Sequence, residues 1–435
     1  MPKTVRFYTL GCKVNQYDSE AMLEAFLASG YSLAPHQAPA DVYVVNTCTV
    51  TGTGDQKSMQ AARRFKRQNP NGELVLAGCL AQRVGDKLRE TGARLIIGTQ
   101  YRGKVVALLE QAIEQQTQLV AVDSLSSVPF EPLTIHAHAG HTRAVMKIQE
   151  GCDCRCTYCI IPSVRGSVRS KPVAQVRAEA QALADAGFTE LVLTGIHLTS
   201  YGKDLGYVTL ADAIQAVHAV EGVMRIRLGS LEPAAITQPF VNALKDLPKL
   251  CPQFHLALQS GSDTVLARMK RRYNTTQFRE AAERISAAWP LAAFTTDVIV
   301  GFPGETEVEF AQTMAFCAEI GFMRLHVFPF SPREGTPAAE MDGQISQSVK
   351  ETRVHALIQV GESLAALYYR RLLGTVQPVL VEECLAEHEW RGYTPQYVQV
   401  ICRGSTAEKI VPVRLTAIDK EGMSGDIVEP YQQKG

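Results

Sequence analysis

The stretch AVMKIQEGCDCRCTYC, residues 144–159, reads as a short apolar strand running into a loop that carries Cys152, Cys154, Cys156 and Cys159. Three of these fit Cys-x3-Cys-x2-Cys: Cys152, Cys156 and Cys159. Three thiolates on one short loop suit three irons of a cubane 4Fe-4S cluster and leave the fourth iron open to a ligand. Zinc would need a fourth ligand, and no second Cys-x2-Cys pair follows downstream. Cys154 breaks the regular spacing and is read as a bystander.

Working outward, apolar runs recur at AVMKIQ, ELVLTG, RIRLGS, FHLALQ, TTDVIVG and MRLHVFPF, each followed by a helix-like stretch. Six such β/α units are too few for an eight-fold barrel. They predict an α/β domain built as an open (β/α)6 partial barrel over residues 138–370, with its site at the carboxyl ends of the strands. Upstream, VRFYTLG, DVYVVN, ELVLAG and LIIG alternate with amphipathic stretches, which predicts an open parallel α/β domain over 3–116. The segment DSLSSVPFEPLTIHAHAGHT shows neither period, so 117–137 is read as a linker. Its alternating His136, His138 and His141 are read as exposed side chains rather than metal ligands. Beyond Gly374, short strand-like pieces between polar turns predict a small all-β, OB-like module over 371–435.

The composition sets further bounds. The 435-residue chain has no run approaching eighteen apolar residues and no secretory pattern at its start, so it is read as cytoplasmic, with no membrane partner. Eleven cysteines in a reducing compartment are poor material for a disulfide framework. With 44 basic and 44 acidic side chains there is no global attraction to a polyanion. Nucleic-acid binding then falls to local patches, either Arg165, Arg169 and Lys171 or Arg63, Arg64, Lys66 and Arg67.

A second constellation depends on the strand reading. Cys12, Cys48 and Cys79 each follow the end of one of three successive strands, two of them directly after a glycine that permits close backbone approach. The carboxyl ends of an open parallel sheet converge on one crevice, so the three thiols meet at one mouth and predict a second cluster.

The motifs LGCKVNQYDSE, NTCTVT, GCLAQR, LQSGSDTVLARMKRRY, DVIVGFPGET and FPFSPREGTPA, with the cysteine loop, resemble those of the radical S-adenosylmethionine (SAM) methylthiotransferases along nearly the whole chain. The resemblance implies a methylthiotransferase domain, a radical-SAM partial barrel and a C-terminal TRAM domain that helps hold RNA. It places the SAM-binding 4Fe-4S cluster on Cys152, Cys156 and Cys159, an auxiliary 4Fe-4S cluster on Cys12, Cys48 and Cys79, and Tyr158 against the SAM adenine. Cys154 and Arg155 depart from the usual polar and aromatic residues before the second ligand.

In the chemistry so implied, one electron cleaves SAM to a deoxyadenosyl radical that attacks an unactivated aromatic carbon, and a second SAM methylates sulfur carried by the auxiliary cluster. Thr194 and Gly195 are candidates for the SAM methionine, Ser230 and Glu232 for its ribose, and Val300 and Gly301 for adenine. Gln259 is a polar strand residue in need of a partner. Lys13, Val14, TGIHLTSYG and RIRLGSLEP look like the subgroup that acts on N6-threonylcarbamoyladenosine at position 37 of tRNA, rather than on N6-isopentenyladenosine or a ribosomal aspartate. Its substrate brings a carboxylate, for which Arg165, Arg169 and Arg227 are candidate cations. The implied partners are tRNA, an electron donor such as flavodoxin or ferredoxin, and a sulfur source. The competing readings are a non-catalytic iron-sulfur electron carrier and a dithiol redox protein.

Overall fold

Six short strands, β1 (Thr4–Thr9), β2 (Ser32–Leu33), β3 (Val42–Thr47), β4 (Glu73–Gly78), β5 (Leu95–Ile97) and β6 (Leu119–Ala121), pair in parallel in the order β2-β1-β3-β4-β5-β6. The computed structural model describes residues 2–35, 38–126, 128–136 and 142–429. Strand β3 is buried at every position, as a central parallel strand covered on both faces must be. Val44 packs on one face with Met22, Phe26, Val75 and Leu109. Val45 packs on the other with Ala62, Phe65 and Leu76. The flanking helices are α1 (Lys13–Ala28), α2 (Gly52–Gln68), α3 (Cys79–Val84) and α4 (Val105–Glu114). Strand β6 falls inside the segment read as a linker, where three residues are too few to show a period.

The chain forms two compact units, one of residues 1–222 with 331–340, the other of 223–330 with 341–435. In the first unit, β7 (Arg143–Glu150) lies between the antiparallel β8 (Arg169–Ser170) and the parallel β9 (Glu190–Gly195). The short helix α5 (Ile161–Arg165) follows the cysteine loop, with Pro162 in its first turn, where the missing N–H costs nothing.

In the second unit, β10 (Arg225–Leu228) precedes a parallel sheet of β11 (Ser230–Leu231), β12 (Gln253–Leu256), β13 (Ala293–Val300) and β14 (Arg324–Pro329). All six apolar runs expected of the partial barrel are therefore strands. The tail is a closed five-stranded barrel of β15 (Val376–Ala386), β16 (Glu389–Tyr393), β17 (Gln399–Arg403), β18 (Ile410–Asp419) and β19 (Gly422–Ile427). Among the described residues no helix is long and apolar enough to cross a membrane. His136 is exposed and pairs with Glu24 at 3.1 Å, whereas His138 and His141 lie outside the described residues.

Candidate functional site

The register of the first sheet brings three cysteines together. Thr9 pairs with Asn46, and Thr47 with Gly78, so Cys12, Cys48 and Cys79 leave three adjacent strands at the same edge. Cys79 opens α3 directly after Gly78, whose φ of 95° belongs to glycine and whose missing Cβ would lie 2.4 Å from Asn46 Oδ1. Cys12 is exposed, while Cys48 and Cys79 are buried. Burial pushes the Cys79 thiol up to about 11 against a pull from Arg165, and burial likewise raises Cys48. Both are protonated at neutral pH, so a metal must displace their protons.

The second trio is shaped by hydrogen bonds to the backbone. Cys152 N–H donates to the Gly166 carbonyl at 2.9 Å, and Cys159 N–H to the Cys156 carbonyl at 3.1 Å, closing the loop into a turn. Gln149 ties this loop to the end of β9. Its amide donates to the Glu150 and Gly151 carbonyls at 2.7 Å each, and its oxygen accepts from His197 N–H at 2.7 Å. Thr194, buried, and Gly195 thus stand beside the cysteine loop. Tyr158 is half-buried on the loop itself.

Ligands held tetrahedrally at about 2.3 Å from one ion stand roughly 3.8 Å apart, whereas a cubane spreads its thiolates over separate irons. Among the described residues, the group of three ligand atoms within 4.8 Å of one another is Cys152, Cys154 and His197, and neither cysteine trio is that tight. Each trio is made of cysteines alone, the donor set of 4Fe-4S clusters. Cys154 is not isolated: its thiol lies 3.8 Å from His197 Nε2, and its N–H donates to Cys152 Sγ at 3.4 Å. Contact with Cys154, with burial second, raises the Cys152 thiol.

Between the trios lies a buried charge network that the sequence reading missed. Arg165, fully buried, donates from Nε to Cys79 Sγ at 3.2 Å and from NH1 to Asp18 and Glu150 at 3.0 and 2.9 Å; its NH2 meets Asn15 Oδ1. Lys147 reaches Asp18 at 2.5 Å and Glu150 at 3.0 Å, and Arg102 binds Asp18 and Glu131. Burial works against the Asp18 carboxylate, but Arg102, Lys147 and Arg165 outweigh it and hold its pKa below the usual range. One signal was available, since Asn15, Asp18 and Ser19 are polar at helical spacing on α1 and all three are buried.

This corrects the reading of Arg165 as a cation offered to substrate, because its guanidinium is taken up inside the protein. Arg227 is likewise buried, donating to the Pro395 carbonyl at 3.0 Å and lying over the Tyr397 ring. Arg169 is buried too, with NH2 on the Arg165 carbonyl at 2.9 Å and NH1 without a hydrogen-bond partner among the described residues.

In the second unit, Ser230 is exposed and Glu232 pairs with Arg271 at 3.0 Å. Gln259, at φ 66°, bridges to β13 through Asp297 and Ile299, each at 2.9 Å. Val300 is buried, and Gly301 N–H donates to Glu305 at 2.6 Å, a carboxylate also held by Arg353 at 2.7 Å. Glu232, Gln259 and Gly301 thus follow strands β11, β12 and β13 of one sheet, with Val300 ending β13 and Ser230 opening β11.

Residues 4–98 match the model described as Uncharacterized protein family UPF0004, and residues 146–317 match the Radical SAM superfamily. The chain is 42% identical to threonylcarbamoyladenosine tRNA methylthiotransferase MtaB of Bacillus subtilis (strain 168), over 95% of this chain and 93% of that protein. It is 34% identical to the protein of the same name from Thermotoga maritima, over 98% of each. Among solved structures, the radical S-adenosylmethionine methyltransferase TsrM of Kitasatospora setae aligns with a TM-score of 0.56 at 14% identity, over 78% of this chain and 77% of that one. At that identity the likeness concerns the fold alone.

Proposed function

The chain belongs to the threonylcarbamoyladenosine tRNA methylthiotransferases of the radical SAM family, and on that premise we propose that Cys152, Cys156 and Cys159 hold the SAM-binding 4Fe-4S cluster while Cys12, Cys48 and Cys79 hold the auxiliary one. The enzyme adds a methylthio group to C2 of N6-threonylcarbamoyladenosine in tRNA, with SAM and 4Fe-4S clusters as cofactors. The observation that carries the residue assignment is the register of β1, β3 and β4, which delivers three thiols to one edge in the same compact unit as the cysteine loop.

When bound, SAM and its cluster would supply the radical needed to open an aromatic C–H, a bond beyond acid-base catalysis, and the auxiliary cluster the sulfur that replaces the hydrogen. The chain's own residues bind and orient. Within the first unit Gln149 holds the cysteine loop beside β9, whose Thr194 and Gly195 would face the SAM methionine, with Tyr158 toward the adenine; within the second unit, Val300 and Gly301 are the residues proposed for the adenine and Ser230 and Glu232 those for the ribose. Glu232, already paired with Arg271, is fixed in direction for that role. The methylthiotransferase domain spans 3–116, the radical-SAM domain 138–370 and the TRAM domain 371–435. A flavodoxin or ferredoxin donates the electron, a separate sulfur source recharges the auxiliary site, and the work is done in the cytoplasm on the anticodon loop, at adenosine 37.

The test is mass spectrometry of tRNA nucleosides from a deletion strain, together with turnover by the reconstituted enzyme. Loss of the methylthio form of threonylcarbamoyladenosine, and poor turnover of isopentenyl-modified tRNA, are the expected results. Equal turnover of the two tRNAs would overturn the substrate, and iron without SAM cleavage would favour an electron carrier.

A further inference from the structure

We propose that Arg165 is a positioning residue for the auxiliary cluster: its guanidinium fixes the Cys79 ligand through an Nε–H···S bond and raises that cluster's reduction potential. The inference rests on the reading that Cys79 is an auxiliary-cluster ligand.

Four groups grip the guanidinium from different directions. Nε lies 3.2 Å from Cys79 Sγ, NH1 is shared by Asp18 and Glu150, and NH2 is held by Asn15. Asn15 is itself pinned, its amide donating to the Leu10 and Thr47 carbonyls at 2.7 and 3.0 Å. Rotation of the fork would break several buried bonds at once, so the donor aimed at sulfur is preorganised.

The charges point the same way. Among the described residues, Arg102, Lys147, Arg165 and Arg169 are set against Asp18, Glu131 and Glu150, four cations to three carboxylates. Buried charge without a counter-charge is costly, and Cys79 Sγ is the remaining group on Arg165 that turns anionic when it ligates iron. Hydrogen bonds to ligand sulfurs and nearby net charge are levers on cluster potential, and a cationic donor favours the reduced, more negative cluster.

The same side chain joins the two sites. Arg165 ends α5, six residues past Cys159, and Glu150 lies two residues before Cys152, so the arginine that touches one cluster's ligand is anchored on both flanks of the other cluster's loop.

The experiment uses the full-length chain carrying Cys152→Ala, Cys156→Ala and Cys159→Ala, reconstituted anaerobically so that the auxiliary site alone is loaded, with EPR-monitored redox titration. Arg165→Lys keeps a cation but loses the fork, and Arg165→Gln keeps an N–H donor without the charge. Both are expected to bind a full cluster whose midpoint moves to more negative potential. An unchanged midpoint with full iron overturns the proposal. If neither variant retains iron, Asn15→Ala decides, since it frees NH2 without touching a cysteine: a smaller shift of the same sign supports the role of Arg165, and an unmoved midpoint overturns it. Absence of any cluster in the starting background overturns the ligand assignment itself, and this inference with it.

Discussion

Gly151 and Ser167 approach so closely that a Cβ on Gly151 would lie 1.8 Å from the Ser167 carbonyl oxygen. Gly151 also sits at φ 73°, a conformation that side chains resist. A backbone atom cannot swing aside as a side-chain tip can. Gly151→Ala is therefore expected to displace the loop that starts at Cys152, with loss of one cluster's worth of iron and of reductive SAM cleavage. Iron counting on the reconstituted variant checks it, and retention of both clusters would show that the loop tolerates the shift.

Within the cysteine loop the four thiols are predicted to separate cleanly. Cys152→Ala, Cys156→Ala and Cys159→Ala should each abolish SAM cleavage, while Cys154→Ala, which removes the side-chain contacts to His197 and Cys152, should leave most of it. Deoxyadenosine formed under dithionite is the measurement. Loss of the cluster in the Cys154 variant would make Cys154 a ligand.

Replacing Cys12, Cys48 and Cys79 together with alanine should divide the chemistry into halves. Those residues follow strands of the first sheet, apart in sequence from the Cys152–Cys159 loop, so the variant should still produce deoxyadenosine but no methylthio nucleoside. Their ratio in one anaerobic assay reads the outcome. Methylthio product from this variant would mean that sulfur arrives by another route.

A pH effect should appear in the second unit. The Arg268 hydrogen bond, against an opposing push from burial and with help from Thr264 and the Thr306 N–H, lowers Glu309 to about 2 at the start of the helix Glu307–Ile320. A carboxylate held below its ordinary 4.5 contributes stability that is fully present above pH 4.5 and is lost as pH falls through about 2. The urea midpoints of the wild type and Glu309→Gln should differ at pH 7 and draw together toward pH 2. A constant gap would show that the ion pair carries none of it.

The strands were legible because a parallel strand covered on both faces is a continuous apolar run, as in VYVVNT, and cysteines at three run ends could be matched to three neighbouring strand ends. The cluster loop was legible because its ligands are local. What the sequence concealed is non-local: Asn15 and Asp18 on α1 meet Arg102, Lys147 and Arg165 across as many as 150 residues, and no period marks such a pairing. Arg165 and Arg227 looked like surface cations because arginine usually is one, and burial against specific partners is fixed only by the tertiary fold. Strand β6 was lost for a simpler reason, since the three residues LVA are too few for an alternation of period two to stand out.

The separation of Cys79 and Arg165 by 86 residues also has a temporal meaning. At roughly 5–20 residues per second of synthesis, Arg165 is made on the order of 4–17 s after Cys79. During that interval the first sheet has all three of its thiols but lacks the cation that later sits against one of them. A nascent chain thus presents a cysteine-lined mouth of a different charge from the finished one, and the environment in which the Cys79 thiolate is stabilised comes into being only when the second domain's opening strand and helix have been made.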